Sequence, residues 1–117
     1  MNEIIEINDM DFNKTVIQTS EKKLVLLKFW GNWCQPCKRM NPIFKNIFSY
    51  YKNQISIFSI NVADNQIITE KFGIKSIPAL LFFYKKNLLE KKTGYLSESK
   101  VKELIDSKLT ELDKIKI

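Results

Sequence analysis

The chain has 117 residues, 44% hydrophobic and 12% aromatic, which excludes a disordered chain and suits one compact domain spanning residues 1–117. A domain of this length buries roughly two-thirds of the surface of its unfolded chain, so an apolar core needs no covalent staples. The net charge of +6 comes from scattered lysines with acids between them, whereas a nucleic-acid binder concentrates its charge on one face; neither nucleic acid nor membrane is expected as a partner.

The opening MNEIIEINDMDF has no basic n-region and no long apolar stretch, so it does not read as a signal peptide. Within it, Glu3–Ile7 is a short β-like run, and Asp9 or Asp11 is expected to cap a weak helix reaching about Thr19. Leu24–Trp30 (LVLLKFW) predicts a strand apolar on both faces except at Lys28. From Cys34 to about Tyr51, the positions Cys37, Met40, Ile43, Phe44, Ile47, Phe48 and Tyr51 recur at helical spacing, with Pro42 predicting a kink. Ile55–Val62 is the next strand. Asn65 is expected to cap a short helix through Phe72, ended by Gly73. Pro78–Tyr84 is a strand inside the longest apolar run, Ile77–Tyr84, which is far too short to span a bilayer. KKN then turns the chain into an antiparallel partner, LLEKKTG. Ser97 is expected to cap a last helix striped by Val101, Leu104, Ile105, Leu109 and Leu112.

The order β-α-β-α-β-α-β-β-α places the chain in the α/β class, with four helices flanking a mixed, largely parallel five-stranded sheet. No linker, repeat or low-complexity segment interrupts it. These features predict a soluble, cytoplasmic protein. In that setting a permanent structural disulfide is out of place, and a close cysteine pair is catalytic or metal-binding.

The two cysteines, Cys34 and Cys37, are the chain's whole supply, and they fall where a strand gives way to a helix. The first turn of a helix has unpaired N–H groups and the positive end of the macrodipole, so a thiolate at Cys34 is stabilised. Lys38 and Arg39 act in the same direction, weakened by solvent. Cys37 lies within disulfide reach, and Pro36 suits a first helical turn. The pattern predicts an exposed attacking thiol, Cys34, and a shielded resolving thiol, Cys37.

The segment FWGNWCQPCKRMNP, with Phe29, Trp30, Trp33, Cys34, Pro36, Cys37, Lys38 and Pro42 at matching places, resembles the active site of the thioredoxin family. FGIKSIPALLFF, Phe72 to Phe83, resembles that family's cis-proline segment, and Gly94 falls at its glycine after the last strand. The resemblance covers nearly the whole chain. It implies a thioredoxin fold and a protein-disulfide reductase. It also implies a cis Ile77–Pro78 bond packed against the cysteines, and an apolar docking rim that includes Trp33, Ile77 and Gly94. Disulfide-containing client proteins are the implied substrates. Re-reduction is expected from thioredoxin reductase with electrons from NADPH; no bound cofactor and no metal are expected, and the chain is expected to act as a monomer. Trp30, ending its strand, reads as core packing, and Trp33, in a loop, as partly exposed.

Three departures stand out. The family's buried Asp, two residues before the first tryptophan, is Lys28 here, and the lysine that pairs with that Asp aligns with Ser59. Lys28 either snorkels to solvent or lies near Cys37 and tunes its proton. Gln35 replaces the glycine common between the family's cysteines, where side chains tune the thiol–disulfide balance and face partners. The chain has no histidine, so the histidine that many isomerases and strong oxidants carry between their cysteines is missing; this favours a reductant. The alternatives are a non-catalytic module that docks partners on the same surface and an intersubunit zinc site. Two cysteines fall short of the usual four zinc ligands, and without histidine a cysteine peptidase of the usual kind is excluded.

Overall fold

The computed structural model describes residues 4–115. In chain order the elements are β1 (Ile5–Glu6), a composite helical segment, β2 (Leu24–Trp30), α2 (Gln35–Tyr51), β3 (Ile55–Asn61), α3 (Gln66–Lys71), β4 (Ala79–Tyr84), β5 (Asn87–Thr93) and α4 (Glu98–Ile115). The composite segment joins a 3₁₀ turn at Asp9–Asp11 and a π-helical stretch at Phe12–Ile17 to one α-turn, α1 (Gln18–Ser20). Its cap is Asn8, whose side chain accepts from the Asp11 N–H, and not Asp9 or Asp11 as expected. β1 is shorter than the expected Glu3–Ile7; Glu3 lies outside the described residues, and Ile7 adds only its N–H to the Ser59 carbonyl.

The sheet order is β1-β3-β2-β4-β5. β1–β3 and β2–β3 pair parallel, while β2–β4 and β4–β5 pair antiparallel. The sheet is mixed as expected, but parallel pairings are not the majority, because β4 enters β2's free edge reversed and carries the hairpin to β5 with it. Lys85 and Lys86 make that turn with φ of 50° and 69°, the left-handed pair that a two-residue hairpin needs.

Alternation along β2 divides the core. Leu24 and Leu26 pack with Leu80, Phe82 and the inner stripes of α2 and α4 on one face. Val25, Leu27 and Phe29 pack with Phe12, Val16, Ile68, Ile74 and Phe83 on the other. On the first face the Tyr51 hydroxyl donates to Asp106 Oδ1 at 2.6 Å, fastening the end of α2 to α4, and Lys108 of α4 bonds to Glu90 of β5. The Ser97 hydroxyl caps α4 at the Lys100 N–H, as the sequence implied.

The cap of α3 differs from expectation. Asn65 stands at the right position, but its side chain accepts from the Asp9 N–H and donates to the Asn61 carbonyl. The N–H groups of Ile67 and Ile68 go instead to the two carboxylate oxygens of Asp9, at 3.2 and 2.9 Å. The exchange is reciprocal: Asn65 holds the segment that supplies α3's cap. Asp9→Ala should lower unfolding free energy by about 1 kcal/mol, the usual cost of a lost cap. A urea midpoint unmoved by this change would mean that water replaces the carboxylate without loss.

The cysteine pair and the lysine beneath it

β2 delivers the chain to the upper edge of the sheet, and Gly31–Trp33 turn it into α2. The Trp33 indole folds back over Gly31 so closely that a Cβ there would lie 2.7 Å from the ring, and an added side chain would push the exposed indole aside. The ring is 63% exposed, as its loop position implied. Cys34 is the N-cap of α2, its N–H bonded to the Gly31 carbonyl. Gln35 begins the helix on the exposed surface, and Pro36 follows in the first turn, where no N–H is needed.

Cys34 and Cys37 form a disulfide, with Cα atoms 5.3 Å apart. The Cys37 N–H also donates to Cys34 Sγ at 3.1 Å, a bond available to a thiolate in the same place. The expected contrast in exposure is not found: Cys34 is 5% and Cys37 6% exposed. As N-cap, Cys34 turns its sulfur into the first helical turn. The asymmetry lies in what surrounds each sulfur. Cys37 lines a small, partly open cavity and Cys34 does not.

That cavity, about 10 Å³, is lined among others by Lys28, Met40, Phe44, Pro78, Leu80 and Gly94. It is too small for any organic ligand. The Ile77–Pro78 bond is cis, with Pro78 buried and Ile77 half-buried. The Gly94 N–H donates to the Pro78 carbonyl at 2.8 Å; with φ of +93°, Gly94 occupies backbone space that side-chain-bearing residues seldom enter. Trp30 departs from its expectation of core packing. It is half-buried, and its indole N–H bonds to the Glu6 carboxylate at 3.1 Å, so the polar edge of the ring is held at the β1 side of the sheet.

Lys28 continues the Leu24–Leu26 face and so points beneath α2, across from Ser59 on β3 and Leu80 on β4. Its Nζ donates to Asn41 Oδ1 at 3.3 Å and sits 5.0 Å above the Phe44 ring. Among the described residues no carboxylate comes within ion-pair range of it. Burial pushes the Lys28 ammonium below its ordinary range, opposed by the Glu6 charge. Because the folded protein binds this proton less tightly than the unfolded chain, the stability cost of Lys28 is full below the folded value and fades as pH climbs towards 10.5. Lys28→Met should therefore stabilise the disulfide form at pH 7, with the gain shrinking at alkaline pH; paired urea titrations at pH 7 and 10 read this. An equal gain at both would show that the ammonium carries no burial cost.

Asn41, Glu6 and Gly31 are contacts that the sequence reading missed. Asn41 alone left a signal, lying four residues after Cys37 and three before Phe44 on one face of α2. Arg39, stacked 5.2 Å from the exposed Tyr95 ring, extends the surface beside Gly94. Among the described residues no three Cys, Asp or Glu side chains converge as a metal-ligand set, and no helix is long and apolar enough to cross a membrane.

The sequence model of the family described as Thioredoxin matches residues 3–107. The chain belongs to the thioredoxin family. It is 37% identical over 109 residues to the thioredoxin of Buchnera aphidicola subsp. Schizaphis graminum, covering 93% of this chain and 99% of that one. It is 32% identical over 106 residues to the thioredoxin of Haemophilus influenzae, covering 91% and 97%. The fold is the thioredoxin fold, and the activity is that of a protein-disulfide oxidoreductase with Cys34–Cys37 as its redox-active pair. A thioredoxin needs no bound cofactor, since the sulfurs themselves carry the electrons.

Proposed function

We propose that this member of the thioredoxin family works as a reductant of protein disulfides, with Cys34 as the attacking sulfur and Cys37 as the resolving one. The observation that carries the reading is the setting of Cys34 Sγ: it caps the positive end of α2 and takes the Cys37 N–H at 3.1 Å, which favours a thiolate. The Cys34 thiolate attacks one sulfur of a client disulfide, and the other client sulfur leaves as thiolate. Cys37, deprotonated, then attacks Cys34 Sγ. The Cys34–Cys37 bond forms, the Cys34–client bond breaks, and the client's second thiolate departs. Two electrons have passed from the dithiol to the client.

The client docks on Trp33, Ile77, Pro78 and Gly94, with Pro36 and Gln35 at the edge. The exposure of Trp33 and the smallness of the neighbouring cavity support a surface-bound polypeptide over a small molecule. The absence of histidine supports a reductant over an oxidant. Electrons come from NADPH through thioredoxin reductase, and the chain acts as a cytoplasmic monomer; the family membership supports these assignments. The test is to equilibrate the protein in graded thiol–disulfide buffers, alkylate free thiols and count them by mass. A reversible two-thiol transition at strongly reducing poise is expected. A transition at oxidising poise would instead make the protein an oxidant or isomerase.

A further inference from the structure

Lys28 is the least comfortable side chain near the site. It is a half-buried cation beneath α2 held by one long hydrogen bond and an aromatic face, with no carboxylate in ion-pair range among the described residues. A cation partly withdrawn from water is stabilised by an anion that joins it. The groups around it narrow the choice. β1 offers Glu6, whose carboxylate is engaged by the Trp30 indole. β3 offers the neutral Ser59, β4 the apolar Leu80, and the segment after β5 the apolar Leu96. α2 offers the neutral Asn41 and Cys37. Of these, only Cys37 becomes an anion when the disulfide opens.

Lys28 also stands at a boundary. It lines the small cavity with Cys37, and it lines a neighbouring cleft with Ile4, Glu6, Trp30, Asn41 and Ser59. Lys28 and Trp30 are the two side chains common to both, so the cavity beside Cys37 and the cleft meet at these residues.

We propose that Lys28 is a positioning residue for the resolving step: its ammonium holds the Cys37 thiolate that attacks the mixed disulfide, and the thiol's proton leaves past it into the cleft bounded by Glu6 and Asn41. The cation acts by charge and is not itself the base; the proton goes to water in the cleft. Reduction, followed by ionisation of Cys37, then adds a second anion to the distant charge of Glu6. This rests on the proposed role of Cys37 as the resolving thiol.

The experiment isolates Cys37. In a Cys34→Ser background, thiolate absorbance against pH gives the Cys37 midpoint with Lys28, with Lys28→Met and with Lys28→Arg. Lys28→Met should raise the midpoint by about one pH unit, the usual effect of losing a close opposite charge. Lys28→Arg, which keeps a cation and has no accessible neutral form, should leave it near the starting value. In the two-cysteine protein, Lys28→Met should stabilise the disulfide form more than the dithiol form in urea titrations; a purely structural effect would move both alike. An unchanged midpoint in Lys28→Met would overturn the proposal. So would an arginine variant that behaves like methionine, which would make Lys28 a proton acceptor. A wild-type protein with no reversible disulfide would strike the reductase reading instead, leaving the Cys37 midpoints to decide the role of Lys28 separately.

Discussion

Cys37→Ser is expected to yield a protein that captures a client disulfide once and does not let go. Cys34 retains its place at the start of α2, so the first attack proceeds. The sulfur needed to attack Cys34 Sγ is replaced by a hydroxyl, whose poor acidity makes it no nucleophile here. Turnover should stop after one equivalent, with the protein accumulating as a mixed disulfide that dithiothreitol dissolves. Non-reducing electrophoresis and intact mass read this directly. The companion Cys34→Ser should form no such adduct. If it traps clients as well as Cys37→Ser does, the two roles are reversed. The similar exposure of the two residues makes this a real test, since access alone does not choose between them.

The largest loss of stability is expected from Phe82→Ala. Phe82 is fully buried on β4, in the cluster that joins the sheet to α2 and α4. Truncating a core phenylalanine costs about 3–5 kcal/mol, because the site collapses only partly around the missing ring. Against a typical total of about 5–15 kcal/mol, that removes a large share of the folding free energy. The urea midpoint should fall steeply at constant slope, while the disulfide equilibrium of the folded protein stays where it was. A loss under about 1 kcal/mol would mean that α2 and α4 move in to fill the space.

What the sequence revealed and what it hid divide by range. β2 runs from Leu24 to Trp30 as its apolar pattern implied, and the cysteines fall at its junction with α2, because both signals sit within a few neighbouring residues. Asp9 as the cap of α3 was hidden. Cap rules look at the residue just before a helix, and here the carboxylate arrives from 58 and 59 residues away. Trp30 departs from expectation for a similar reason: strand alternation gives its side, but the Glu6 carboxylate that holds its indole N–H comes from 24 residues away on β1. The inward turn of Cys34's sulfur was equally invisible, since spacing fixes distance along the chain and not side-chain direction. Lys28 lies between these cases. Its position on the α2 face follows from alternation with Leu24 and Leu26, whereas Asn41 as its partner depends on how α2 is seated on the sheet.

The exchange between Asp9 and Asn65 makes two amide protons into gauges. The N–H groups of Ile67 and Ile68 are bound to Asp9, so they stay shielded from solvent deuterium on this account only while the segment near the N-terminus is docked. A two-dimensional NMR spectrum recorded over time in heavy water would follow two cross-peaks in α3 and report on the seating of residues far upstream. Partial opening of that segment would be visible there before the central strands lose any signal.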